Sequence, residues 1–110
     1  MVEHVQAPLD RTYGALAHNV RREMLQRLRA GQTRVTDLAE PFELSLAAAS
    51  KHIRVLESAG LIHRDVLGRV HQLSLDPRPL AEAGEWIDAY RGFWIQRLDW
   101  LEGYLRGGQR

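Results

Sequence analysis

Apolar residues recur along this chain with three different rhythms, and each rhythm predicts a different element. Val20, Met24, Leu25 and Leu28 fall at spacings near 3.6 and predict a helix over roughly Asn19 to Ala30, closed by Gly31. Before it, Asp10 is suited to cap a short helix containing Tyr13 and Leu16. After it, Thr36 is suited to cap a short third helix through Leu38, Ala39 and Phe42, which Pro41 keeps short. Ser45 then caps a helix ending at Gly60. On it Ala49, Ile53 and Leu56 share one face with Leu46 near them, while Ala47, Ser50, Lys51, Arg54 and Ser58 share the other. The segments "LIHRDVL" and "RVHQLSL" are strand-length and flank Gly68, the pattern of a hairpin. "DPRPL" breaks it, and one long amphipathic helix follows to about Leu105. The expected fold is mostly α with a small β-hairpin, a winged helix-turn-helix with helices added at both ends.

The last helix carries more apolar surface than one packing contact needs. Trp86, Phe93 and Trp100 are spaced by seven, as are Ile87, Trp94 and Leu101, with Tyr90, Leu98 and Leu105 between them. Fully burying such a side chain is worth about 1.5–3 kcal/mol, so several aromatics left in water are a serious loss. Two adjacent stripes predict an interface, because covering the chain's own domain accounts for one of them. The expectation is a two-fold homodimer joined through Tyr13, Leu16, Trp86, Tyr90, Phe93, Trp94, Leu98 and Leu101.

Composition narrows the class. A chain of 110 residues with 45% hydrophobic and 26% charged residues is one ordinary folded domain. The reading divides it into a helix-turn-helix at about 36–59, a wing at about 61–75 and a dimerisation helix at about 78–105. No run is apolar enough for a membrane span, and "MVEHVQAPLD" has neither a basic start nor an apolar stretch to mark export. Without Cys there is no disulfide, thiolate nucleophile or thiolate metal site, and a cytoplasmic setting is expected. GxSxG, HExxH and phosphate-loop patterns are missing, so catalysis is not expected. Net charge is only +1, yet Lys51, Arg54, Arg64 and Arg69 crowd the middle of the chain against Glu57 and Asp65.

That local excess gives the small-faced helix a meaning. A helix entering the ~12 Å wide major groove of B-DNA needs little bulk at its leading end. Ser45, Ala47 and Ser50 allow close approach; Lys51, His52 and Arg54 supply donors; Arg64 and Arg69, placed near the hairpin tip, supply a wing. The rival reading is a winged helix that keeps the fold but binds other proteins in place of a DNA groove.

The ordered pattern also resembles a known family, the ArsR/SmtB-type winged helix-turn-helix repressors of bacteria. The residues are "ALAHNVRREMLQRLRAG", "VTDLAEPFELSLAAASKHIRVLESAGLI" and "GRVHQLSLDP", and the likeness runs from about Leu9 to Leu105. It implies a homodimeric repressor that binds an inverted repeat of double-stranded DNA at promoters. The family's metal sensors use Cys at the start of the third helix or Asp and His on the last helix. Here "TRVTDLAE" has no thiol and residues 77–110 have no His. The aromatic series of the last helix is similar to that of the metal-independent autorepressor branch. Neither a metal nor another cofactor is therefore expected, and His4, His18, His63 and His71 are expected to be satisfied surface residues. A small-molecule effector is left open.

Overall fold

The computed structural model describes the backbone of residues 2–107 and the side chains of 7–107. In chain order it has α1 (Val2–Leu16), α2 (Asn19–Leu28), β1 (Thr33–Arg34), α3 (Val35–Ala39), a 3₁₀ turn (Glu40–Phe42), α4 (Leu46–Ser58), β2 (Ile62–Leu67), β3 (Val70–Leu75) and α5 (Arg78–Gly107). The strands form one antiparallel sheet in the order β1-β3-β2.

Three local expectations are corrected. α1 passes through Asp10, so that residue is not its cap, and Pro8 lies within the helix. Thr36 sits inside α3, whose N-cap is Arg34 without a side-chain bond. The hairpin gains a third strand, because Thr33 and Arg34 pair with Leu73 and Gln72. Two residues with no alternation of their own give no sequence signal for a strand; only the partner edge creates one.

α4 folds as its pattern dictates. The Ser45 hydroxyl oxygen accepts from Ala48 N–H at 3.1 Å, satisfying one of the unpaired amides of the first turn. At the other end Gly60 N–H donates to Glu57 O and Leu61 N–H to Leu56 O. That closure needs a left-handed residue, and Gly60 takes it at φ 73°. Gly68 meets the same demand in the tight turn of the hairpin, at φ 63°.

Ala49, Ile53 and Leu56 form the centre of the core. Met24, Leu25 and Leu28 of α2 meet them from one side, and Leu38 and Ala39 of α3 from another. Leu61, Ile62 and Leu73 close it from the sheet, and Ala15 from α1. α4 is thus gripped by four elements along a single face.

The start of α5 is a second anchor. Asp76 is buried, and its carboxylate accepts from the backbone N–H of Arg78 at 3.0 Å, from the Arg78 guanidinium at 2.6 Å and from His63 Nε2 at 2.7 Å. Pro77 and Pro79 lie where helix amides have no internal partner, so their missing N–H costs nothing. The Tyr13 hydroxyl donates to Ala83 O at 2.7 Å, tying α1 to α5.

Beyond Ala83 the helix leaves the body. It is about 45 Å long by its residue count, and Ala83 is its one buried residue among those described. The radius of gyration is 19.4 Å, against the ~13 Å of a compact chain this long. The expectation that one aromatic stripe covers its own domain is corrected: Trp86 meets Tyr13 edge-on at 5.9 Å, but Phe93, Trp94, Leu98, Trp100 and Leu101 are all exposed.

Two measurements test this architecture. Ile53→Ala is expected to lower the free energy of unfolding by about 2–5 kcal/mol in denaturant titration, since the core is closed around it on every side. Arg78, through its side chain and then its backbone, and His63 hold the Asp76 carboxyl well below the usual carboxylate range. A group depressed in the folded state stabilises fully above its unfolded value, near pH 4. That stabilisation disappears as pH falls through the lower folded value. Asp76→Asn is expected to remove this component, giving an acid-unfolding curve flatter than that of the unsubstituted chain.

Candidate nucleic-acid interface

Gripping one side of α4 forces the other outward. Ala47, Lys51, Arg54 and Ser58 are exposed and Ser50 is half-buried, with none of the surface of the described body folded over them. Lys51 and Arg54 form no ion pair among the described residues. Arg54 borders a shallow depression that it shares with Arg11 and Gly14 of α1. At the leading end of α4, a cleft of about 420 Å³ opens between α3, α4 and the wing, lined by Arg34, Thr36, Leu46, Ser50, Arg69 and His71 among others. Arg69 is exposed in the hairpin turn.

His52 departs from expectation. The pattern groups it with the outward residues, but it stands only about 60° around the helix from Ala49. Its ring is half-buried against His18, with centroids 4.4 Å apart. Arg21 Nη1 lies 3.1 Å from its Nδ1; a guanidinium only donates, so Nδ1 accepts and the other nitrogen carries the proton. Burial first, then His18 and Arg21, pull its pKa below the ordinary histidine value. His52 therefore ties α4 to α2, and its ring is not free for a base.

Arg64 departs in the same way. The register pairs it with Leu73, well before the turn. Its guanidinium grips Glu57 of α4 with two bonds, at 2.7 and 3.2 Å, and Nη1 donates to His71 Nδ1 at 3.0 Å. With its charge matched by Glu57, Arg64 fastens the wing to α4 at the edge of the cleft. It does not stand near the hairpin tip.

The remaining histidines divide. His18 caps α2, its Nδ1 accepting from Val20 N–H at 3.2 Å. His63 and His71 pair with Ser74 and Val66 and so point to opposite faces of the sheet. His4 lies outside the described side chains. Among the described residues no group of three or more His, Cys, Asp or Glu is arranged to hold a metal ion. No described helix is long and apolar enough to cross a membrane.

Of the residues expected at a dimer interface, Leu16 differs from expectation, because it packs against the chain's own core. Tyr13 is half-buried, while Trp86, Tyr90, Phe93, Trp94, Leu98 and Leu101 all remain exposed. Two candidates escaped the pattern. Arg34 precedes α3 and enters the cleft only because β1 pairs with β3. Leu46 is expected near the core face, but as the first residue of α4 it projects past the core and is 56% exposed.

Comparison with known proteins agrees with this geometry. Residues 16–65 match a family model described as a helix-turn-helix domain. The HTH-type transcriptional regulator Rv2034 of Mycobacterium tuberculosis is 35% identical over 89 residues, covering 81% of this chain and 80% of that one. The transcriptional repressor SdpR of Bacillus subtilis is 27% identical over 79 residues, covering 72% and 88%. Among solved structures, the ArsR family transcriptional regulator RHA00566 superposes with a TM-score of 0.76 at 33% identity, covering 80% of this chain and 97% of that one. A chain alike over most of its length to such regulators, in sequence and in fold, is one of them: it belongs to the ArsR family of helix-turn-helix transcriptional regulators.

Proposed function

We propose that two copies of this chain bind an inverted repeat of duplex DNA and repress transcription from it, each α4 entering one of two successive major grooves. The observation that carries the reading is the exposed, small and cationic face of α4, with Lys51 and Arg54 beside Ala47 and in no ion pair among the described residues. A polyanionic duplex supplies the missing counter-charge, and the absent side-chain bulk lets the helix sit deep in the groove. Ser45, Ala47 and Ser50 approach the bases and backbone; Lys51 and Arg54 of α4 and Arg69 of the wing bind phosphates or guanine edges. His52 and Arg64 serve by holding α4 and the wing in position. Residues of about 36–59 act as the helix-turn-helix, 61–75 as the wing and 78–105 as the dimerisation helix.

A two-fold partner matches the free part of α5. Trp94 and Leu98 are 61% and 62% exposed, and apolar surface of this extent calls for cover. A second α5 together with the second Tyr13 offers it, and the resulting symmetry matches half-sites about 34–36 Å apart. The repressor SdpR supports the sign of regulation, with bound protein denying the promoter to polymerase. The reading assigns the chain no catalysis and places it in the cytoplasm, beside the chromosome.

Gel-shift titrations on duplexes selected by the protein check the groove assignment. Lys51→Ala with Arg54→Ala is expected to weaken binding roughly 10–100-fold. It should also flatten the salt slope by about 3.6 for the dimer if all four charges meet phosphates. Arg69→Met is expected to flatten the slope without changing thermal stability, whereas Arg64→Met lowers stability by about 1 kcal/mol and leaves the slope nearly intact. An unaltered affinity and slope in the Lys51/Arg54 variant sinks the assignment. In sedimentation at micromolar concentration the unsubstituted chain is expected at twice the monomer mass and Trp94→Asp at the monomer mass; a monomeric parent overturns the dimer.

A further inference from the structure

The cleft at the leading end of α4 is built for more than charge. Its apolar lining is Val35, Val70 and Leu46. The two valines are half-buried, whereas Leu46 lies over half exposed although Ala49, Ile53 and Leu56 on the same helix are wholly buried. Leu46 shares the cleft with three arginines: Arg64, which is paired with Glu57, and Arg34 and Arg69, neither of which meets a carboxylate among the described residues. The leading turn of α4 is Leu46, Ala47, Ala48, Ala49, so Leu46 is its one side chain longer than a methyl. Ser45, just before it, has its hydroxyl engaged in the cap.

Building on the DNA-binding reading, we infer that Leu46 determines sequence preference by packing against the C5-methyl of a pyrimidine, a thymine of the operator half-site. An apolar peptide has no use for the two unpaired arginines, and an acidic peptide has none for the leucine. The major groove presents both features together: phosphates along its rims and, on its floor, the thymine methyl as the apolar group of an otherwise hydrogen-bonding surface. Arg34 and Arg69 then meet the rims while Leu46 reaches the floor. Discrimination comes from the methyl alone, since Leu46 has no donor or acceptor to offer.

The test removes that methyl and nothing else. Duplexes are selected from a random pool with the full chain, and each thymine of the footprint is replaced in turn by deoxyuridine. One thymine per half-site is expected to be sensitive, its replacement weakening binding roughly fourfold, the worth of one buried carbon. Leu46→Ala is expected to bind both duplexes alike with an unchanged salt slope, and Leu46→Met, still long and apolar, to keep the preference. A cytosine at the sensitive position should bind more weakly, and 5-methylcytosine there should recover part of the loss if the methyl alone is read. Two results overturn the inference: no thymine sensitive in the unsubstituted chain, or equal sensitivity in Leu46→Ala. These failures are separable from that of the underlying reading. A chain that selects no duplex at all sinks DNA binding itself; one that selects a duplex through Lys51 and Arg54 but ignores the methyl sinks only the role of Leu46.

Discussion

Burial of the Ala49, Ile53 and Leu56 face of α4 is the constraint on which the rest of the molecule depends. Those three side chains have essentially no exposure, and helices α2 and α3, the sheet and α1 converge on them. With that face held, helical geometry alone decides which residues point away. Lys51, Arg54 and Ala47 are displayed because the opposite face is locked. A looser core would let α4 rotate, and its display would lose definition before the fold was lost.

Charge is allocated around that fixed helix in two ways. Some arginines complete the scaffold. Arg21 and Arg22 donate to the last carbonyls of α1, at Ala15, Gly14 and Leu16, where cations also suit the helix dipole. Arg64 joins Glu57 to His71, and Arg78 joins Asp76. Other cations, Lys51, Arg54, Arg34 and Arg69, have no carboxylate within ion-pair distance among the described residues. A net charge of +1 conceals this division. Arg11, Arg29, Arg91 and Arg97 likewise appear in no ion pair among the described residues and lie elsewhere. Lys51, Arg54, Arg34 and Arg69 share the surface formed by α4, the start of α3 and the wing, and that surface carries the proposed function.

The long α5 illustrates the opposite situation, an element whose own domain does not explain it. Its first turns are fastened by Asp76, Ala83 and the Tyr13 hydroxyl. Its remaining aromatics meet each other, Phe93 and Trp94 edge-on and Trp100 stacked on Tyr104 at 5.6 Å, and stay exposed. Such a helix is stable chiefly through what it packs against, which is why the proposed function pairs it with a second copy of the chain.

Much of the architecture was legible along the chain. The caps at Ser45 and Gly60, the hairpin about Gly68 and the core face of α4 all arise from contacts within a few residues. Periodicity and capping chemistry report those directly. What tertiary structure alone decided were the partners of long polar side chains and the ends of elements. Arg64 and Arg69 look equivalent in sequence, yet register delivers one to Glu57 and leaves the other at the tip. His52 and Leu46 flank the same core face; one turns in to Arg21 and His18, and the other overhangs a cleft. Thr33 and Arg34 become a strand only where β3 offers an edge. Local pattern sets which face of a helix is apolar, because that depends on the angle between neighbours. It does not set what a flexible side chain at the border of that face will meet, because the answer lies tens of residues away.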